Sequence, residues 1–229
     1  GGKDPFIDAD LISSLVDLLS AVRVEGFTVL VNSLGCNDDR AGYKRLLGQY
    51  LSEKEDSLCE DCRRRSRTNV LRVLDCKREG CRGVVKEAPN VLDHLCDECS
   101  ATFDTLKGLL DSSGVPFRVK KDLVRGLDYY TGTIFEVIHP SLGSQDAVAA
   151  GGRYDGLTRQ MGGPDVGATG YSVGTERLML VAGREQAALP APGPLVVPIG
   201  GRSREEAFRL TRKFREEGLR CEMASPGRS

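Results

Sequence analysis

Apolar residues recur at three- and four-residue spacing near the start of the chain, at Leu11, Ile12, Leu15, Leu18, Leu19 and Val22. This period predicts a helix with one buried face, opened by Asp8 as its N-cap. Phe27, Val29 and Val31 then alternate with Thr28, Leu30 and Asn32 between Gly26 and Gly35. A period of two with apolar residues on both sides predicts a strand buried largely on both faces. From 37 to 116 charge rises, and Leu106, Leu109 and Leu110 sit at helical spacing, so an inserted, mainly helical module is expected. Strand patterns return at 133–138, at 147–150 and again before Gly174, with glycine-rich turns between them. Strands in direct succession, without a helix between each pair, argue for an antiparallel sheet and an α+β fold, and against a doubly wound nucleotide-binding sheet. A Pro/Ala linker over 187–194 is followed by a strand at 195–199, a helix over 204–217 and a strand at 219–223, the beginning of a second, α/β domain.

Composition limits the classes open to this chain. Its 229 residues, 40% hydrophobic and 28% charged, suffice for one core or one core plus a smaller module without cross-links. Each apolar stretch is interrupted well before the roughly 20 residues of a membrane span, so a soluble globular protein is expected. The opening GGKDPFIDADLI has neither an initiator Met nor a charged-then-apolar leader, and the end stops just after a strand-like run. Truncation at both ends is therefore expected. The formal net charge is −1, so any nucleic-acid contact must come from a local patch. One patch exists: Arg63, Arg64, Arg65, Arg67, Arg72, Lys77, Arg78 and Arg82 face only Asp75 and Glu79 in that stretch. On charge alone, a solvated helix face explains it as well as a polyanion does.

Three runs carry candidate chemistry. LVRGLDYYTGTIFEV, 123–137, packs Arg125, Asp128, Tyr129, Tyr130, Thr131 and Glu136 into a loop entering a strand. An arginine there can neutralise charge on a phosphoryl or carboxylate oxygen, and the tyrosines join a flat apolar surface to hydroxyl hydrogen bonds. The plain alternative is a buried Tyr and Arg network that fixes the loop. AAGGRYDG, 149–156, has paired glycines that allow close backbone approach, followed by Arg153, Tyr154 and Asp155; the plain alternative is an ordinary Gly-Gly hairpin turn. ATGYSVGTERLML sets a strand ahead of a helix beginning near Thr175, with Glu176 and Arg177 in its first turn. That pair is either a surface salt bridge or an arginine clamp for a nucleotide phosphate.

Together, RGLDYYTGT, AGGRYDGL and GTERL resemble, in order and spacing, the two histidine-specific signatures and motif 3 of the histidyl-tRNA synthetases, which are class II aminoacyl-tRNA synthetases. The resemblance implies the class II antiparallel-sheet catalytic domain, with 1–36 as the core after motif 2, 37–116 as the helical insertion, 117–186 as the core bearing the histidine signatures and motif 3, and 195–229 as the start of an anticodon-binding domain. It implies a histidine–tRNA ligase: the histidine carboxylate attacks the ATP α-phosphate to give histidyl-adenylate, and the histidyl group passes to tRNA(His). Arg125 matches the catalytic arginine that contacts the α-phosphate and the histidine carboxylate. Tyr129, Tyr130 and Tyr154 match the histidine pocket, with Gly151 and Gly152 approaching the amino acid. Arg177 matches the motif 3 arginine at the γ-phosphate, with Glu176 and Gly174 beside it. ATP and Mg2+, a homodimer and a cytoplasmic location are implied as well. No counterpart of motif 1 or motif 2 occurs in the sequence, so the 229-residue chain is expected to be inactive alone, activity belonging to the full-length enzyme.

Six of the eight cysteines form close pairs inside the insertion: Cys59 with Cys62, Cys76 with Cys81, and Cys96 with Cys99, while Cys36 and Cys221 stand apart. Such spacing suits a structural zinc held by four thiolates, which would staple a module with little core. Six candidates for four places leave the ligand set open, and free buried thiols are the other reading. Disulfides are disfavoured in a cytosolic protein. If the insertion covers the tRNA acceptor stem, as the resemblance implies, Arg63, Arg64, Arg65, Arg67 and Arg72 gain phosphate partners. Two alternatives remain: a synthetase-like regulatory paralogue of histidine biosynthesis, and a non-catalytic, zinc-stapled RNA-binding module.

Overall fold

A computed structural model describes residues 2–143, 146–182, 193–200 and 203–224. The chain divides into two units, 1–183 and 184–229. In the first, α1 (Pro5–Ala21) leads to β1 (Thr28–Ser33), then α2 (Asn37–Glu53), α3 (Glu60–Thr68), α4 (Glu79–Lys86) and α5 (Asp97–Ser112). The sheet is completed by β2 (Phe117–Val119), β3 (Thr131–Ile138), β4 (Ala147–Arg153) and β5 (Thr169–Val173), with short helices α6 (Leu157–Gln160) and α7 (Thr175–Val181) around the last strand. Strand order is β2-β1-β3-β4-β5, antiparallel except for the β1–β2 pair. The α+β expectation matches this antiparallel-dominated sheet.

The period-two alternation gives the sheet two different faces. Val29 and Val31 of β1, Phe135 and Val137 of β3, and Val148 and Ala149 of β4 enter one apolar cluster with Ile12, Leu15 and Leu19 of α1 and Phe103, Leu106 and Leu110 of α5. This is the back face and the main core. Leu30, Ile134 and Tyr130 form a smaller cluster with Leu34 and Leu123 on the front face. Tyr43, Leu47 and Leu51 of α2 pack with Cys62, Val73, Cys81 and Val85 in a third, which is the core of the helical module. The compositional segment 37–116 therefore splits by packing, because α5 lays its Phe103, Leu106 and Leu110 face on the back of the sheet rather than on α2–α4.

Helix α1 opens on Asp4, not Asp8: the Asp4 carboxylate accepts from the Phe6 amide at 2.9 Å and Pro5 occupies the first turn. Asp8 lies inside the helix, 1% exposed, facing Arg153 at the end of β4. Arg153 donates through Nε and Nη2 to both Asp8 oxygens at 3.0 and 2.8 Å, through Nη1 to Asp155 at 3.2 Å and the Gly2 carbonyl at 2.6 Å, and through Nη2 to the Asp4 carbonyl at 3.2 Å. Burial disfavours this cation, but the two aspartates outweigh that and hold its pKa above the ordinary arginine value.

The second unit is a β-α-β turn of chain: β6 (Leu195–Val196) pairs in parallel with β7 (Glu222–Met223), and α8 (Arg204–Glu216) connects them. Both strands are shorter than expected. Pro198 has no N–H for the ladder, which stops β6 short of Ile199. Gly218, at φ 79°, ends α8 and turns the chain before β7. Most of the 187–194 linker lies outside the described residues.

Asp8→Ala would leave the Arg153 guanidinium buried without its principal counter-charge, and breaking a buried pair in this way costs about 3–5 kcal/mol. Urea unfolding should show that loss, and a drop below about 1 kcal/mol would mean that the pair carries no weight in the fold.

Candidate active site

The front face of the sheet is built for access. Ala150 lies opposite Glu136, Gly152 opposite Ile134 and Gly170 opposite Gly152, so three adjoining positions of β4 and β5 carry a methyl group or nothing. Gly151 and Gly152 are residues of β4, which excludes the plain alternative of a Gly-Gly hairpin turn. Their lack of a side chain is a packing requirement: a Cβ on Gly151 would run into the Gly170 carbonyl oxygen and lie 2.7 Å from Phe135, while one on Gly152 would lie 2.6 Å from the Thr133 carbonyl oxygen. A Cβ on Gly170 would sit 2.5 Å from Tyr154 Oη, so the tyrosine hydroxyl occupies the room that this glycine leaves.

Tyr129, Tyr130 and Tyr154 meet above this floor. Ring centroids are 4.8 Å apart for Tyr129–Tyr130, 5.8 Å for Tyr129–Tyr154 and 6.3 Å for Tyr130–Tyr154, the last two edge-on. Burial raises the Tyr130 pKa, with the neighbouring Tyr129 adding to it and Arg125 opposing. Because strand alternation sends Arg153 to the back, the next residue, Tyr154, comes to the front. Arg153, Tyr154 and Asp155, grouped in the sequence, thus separate: Arg153 and Asp155 form the structural network and Tyr154 joins the aromatic group.

Arg125 projects from the 120–130 loop to Glu136 on β3, with Nη1–Oε1 at 2.8 Å and both side chains part-buried. Its Nε is one of three buried side-chain polar atoms among the described residues that have no hydrogen-bond partner. Nε is covered where it stands, so a ligand oxygen in the cleft that Arg125 lines would meet it only after the side chain turns, and that turn would relieve an unpaired buried donor. Arg125 and Glu136 line a cleft of about 1310 Å³ between this loop and the helical module, whose wall includes Leu74, Arg82 and Asn90. Residues that the motif reading passed over hold the loop. Asn32 of β1 donates to the Lys121 and Leu123 carbonyls at 3.1 and 3.0 Å. Arg40 of α2 donates to the Asp128 and Tyr130 carbonyls at 2.7 and 2.6 Å, and Asn69 reaches the Asp128 carboxylate at 3.2 Å. No sequence spacing announces such long-range polar contacts.

Gly174 caps α7, with its amide on the Val148 carbonyl at 2.9 Å. Glu176 and Arg177 have different partners: Glu176 accepts from Thr175 at 3.2 Å, and Arg177 donates to the Ala147 carbonyl at 2.8 Å. Arg177 thus stands beside the first residue of β4, and Tyr154 follows the last. The basic stretch is dispersed. Arg64 pairs with Asp61 and Arg67 with Glu55, while Arg63 bonds the Glu55 and Leu58 carbonyls. Arg65 lies on the same helix, α3, and Arg72 stands apart with its guanidinium 3.0 Å from the Cβ position of Gly126, next to Arg125.

The cysteines sort into two groups. The thiols of Cys59, Cys62, Cys76 and Cys81 lie within 4.8 Å of one another, with Cys62 and Cys81 buried. Cys96 and Cys99 join Cys36 and Asp39 in a second group within the same limit. Cys36, which looked isolated in sequence, is therefore part of a cluster. In the first group the Cys62 amide draws the Cys59 thiol down to about 7, while burial pushes Cys62 and Cys81 up. In the second, burial raises Cys99; Asp39, although burial opposes it, is held below the usual carboxylate value by bonds from Cys99, Cys96 and Cys36.

The chain is 43% identical to the histidine–tRNA ligase of Halothermothrix orenii and 44% identical to that of Desulforapulum autotrophicum, in each case over all of its own length and over 55% and 54% of theirs. It thus spans about half the length of the curated relatives it matches. Its fold superposes on the apo histidyl-tRNA synthetase of S. aureus with a TM-score of 0.69 at 26% identity, covering 100% of this chain and 57% of that one. The family model described as Histidyl-tRNA synthetase matches residues 1–178, which include the front-face tyrosines, the Arg125 loop and Arg177. With that match, the chain belongs to the histidyl-tRNA synthetase family.

Proposed function

We propose that this chain carries the histidine-binding wall of an enzyme that activates L-histidine with ATP and transfers it to tRNA(His). The observation that carries the reading is Arg125, a part-buried guanidinium oriented by Glu136 with its Nε unpaired, beside three converging tyrosines over a glycine floor. Histidine's imidazole would lie among Tyr129, Tyr130 and Tyr154, with Gly152 and Gly170 keeping the floor low and Gly151, on the other face, letting Phe135 and β5 close up beneath it. Its carboxylate would meet Arg125. When that carboxylate attacks the α-phosphorus, a new P–O bond forms and pyrophosphate leaves. Arg125 offsets the negative charge gathered between the two substrates, and the rest of the protein's share is positioning. A hydroxyl of the terminal tRNA ribose then attacks the histidyl carbonyl and AMP leaves.

Arg177, with Gly174 and Glu176 at the start of α7, is assigned to the far end of the ATP triphosphate. Mg2+ is bound mostly by phosphate oxygens, water and one or two carboxylates. Asp75, Glu79, Asp122, Glu136 and Asp146, which line the cleft, are its groups with that chemistry. Arg72, next to the Arg125 loop, is the basic residue best placed for a tRNA phosphate, whereas Arg63, Arg64 and Arg67 have internal acceptors and Arg65 shares their helix. Cys59, Cys62, Cys76 and Cys81 fit a structural zinc, their four sulfurs already drawn together. The reading includes the cytoplasmic homodimer that the family resemblance implies. Among the described residues no helix is long and apolar enough to cross a membrane.

Histidine-dependent exchange of pyrophosphate into ATP by the complete protein tests the activity. Arg125→Ala should lower kcat by about 10²–10³ with unfolding unchanged, and undiminished exchange would remove Arg125 from the chemistry. Absence of exchange in the unsubstituted protein would favour a regulatory paralogue.

Gly170→Ala should raise the KM for histidine by about 10- to 100-fold by displacing Tyr154, with the KM for ATP little changed. Equal effects on both substrates would count against Tyr154 as part of the histidine pocket.

A further inference from the structure

We propose that Cys36, Asp39, Cys96 and Cys99 form a second zinc site, with three thiolates and one carboxylate, at the base of the helical module. The four ligand atoms lie within 4.8 Å of one another. Zinc–ligand bonds of about 2.0–2.3 Å in a tetrahedron bring donors to roughly 3.8 Å, a contraction that small side-chain rotations supply.

The same local device builds both cysteine groups. Cys59 is the N-cap of α3 and Cys62 its third residue; Cys96 is the N-cap of α5 and Cys99 its third residue; Cys36 is the N-cap of α2 and Asp39 its third residue. Serine, threonine, aspartate and asparagine are the favoured N-caps. Three helices, two in the module and one on the back of the sheet, start on cysteine with a metal-binding side chain at the third position, and therefore call for a reason other than capping. At that spacing the two side chains lie side by side over the first helical turn, which is the geometry of a metal knuckle.

The carboxylate is already oriented for the role. Asp39 Oδ1 accepts from the Cys96 amide at 3.1 Å and Oδ2 from the Cys36 amide at 3.3 Å, so the backbone of two partner residues fixes it while lone pairs remain for a metal. A capping box accounts for Cys36 and Asp39 alone, but it does not account for Cys96 and Cys99 closing the cluster from another helix.

The site sits where the module joins the sheet. Gly35, one residue before Cys36, accepts from the Gly132 amide at 2.8 Å, and Arg40, one residue after Asp39, holds the Asp128 and Tyr130 carbonyls. A zinc at this point would thereby fix both ends of the segment that presents Tyr129 and Tyr130. That positioning role rests on the proposed histidine pocket; the metal site itself does not.

Zinc analysis of the complete protein purified without chelator should give two ions per chain, falling to one in Cys96→Ser/Cys99→Ser and to one in Cys76→Ser/Cys81→Ser. Cobalt loaded into Cys76→Ser/Cys81→Ser should show the higher-energy d–d bands of a site with three sulfurs and one oxygen, moving to lower energy when Asp39→Cys is added. Should either double variant fail to fold, stoichiometry and thiol counts on the unsubstituted protein still decide. One zinc per chain, or fewer than eight free thiols after denaturation with chelator because Cys96 and Cys99 are joined as a disulfide, would overturn the proposal. Metal content is read independently of pyrophosphate exchange, so an inactive protein with two zincs would refute the pocket and leave the site standing.

Discussion

The front of the sheet depends on a charge buried at its back. Arg153 ends β4, and its guanidinium ties that strand to α1 through Asp8, to the opening segment through the Gly2 and Asp4 carbonyls, and to the following turn through Asp155. Strands alternate, so a residue locked on one side decides where its neighbour goes. Tyr154 cannot leave the front face while Arg153 stays paired. The Asp155 carboxylate also accepts from the Ala168 amide at 2.8 Å, which draws the approach to β5 into the same network and sets Gly170 under the tyrosine hydroxyl. Few apolar contacts have this directional consequence, and an ion pair with every donor occupied does.

The helical module contributes to the site by reaching back. Asn69 from beyond α3 and Arg40 from α2 bond the segment that bears Tyr129 and Tyr130, and Arg72 approaches Gly126. The loop carrying Arg125 is thus shaped from two directions, by Asn32 of the sheet and by the module. The cleft between them is lined by Lys and Arg as well as Asp and Glu side chains.

Much of this was legible in the sequence where the signal is local. The alternation at 27–32 and the apolar spacing of α1 report burial directly, and the run 123–137 reads as a loop entering a strand, with Arg125 and Tyr130 before β3 and Glu136 within it. Boundaries were less legible. Asp8 resembles an N-cap until Pro5 is read as the first helical residue, which moves the cap to Asp4 and frees Asp8 for the core. The Gly151–Gly152 pair resembles a turn because glycine permits one, yet here glycine answers the close approach of Gly170 and Phe135. Ligand grouping among the cysteines was hidden because Cys36 and Cys96 are distant in sequence, and only the return of α5 to the sheet brings them together.

That return has a topological consequence. The chain leaves the sheet at Cys36 and comes back at Cys96, where the Cys96 amide bonds Asp39. The excursion between them is a closed loop pinched at its neck. Closing a loop on the order of 60 residues long removes about 4 kcal/mol of chain entropy from the unfolded state if the neck is cross-linked. Because its two ends coincide, the excursion can change in length or content without altering the path of β1, α5 or β3. The sheet and the module are thus free to vary at different rates, with the neck as the one place where a change in either is felt by both.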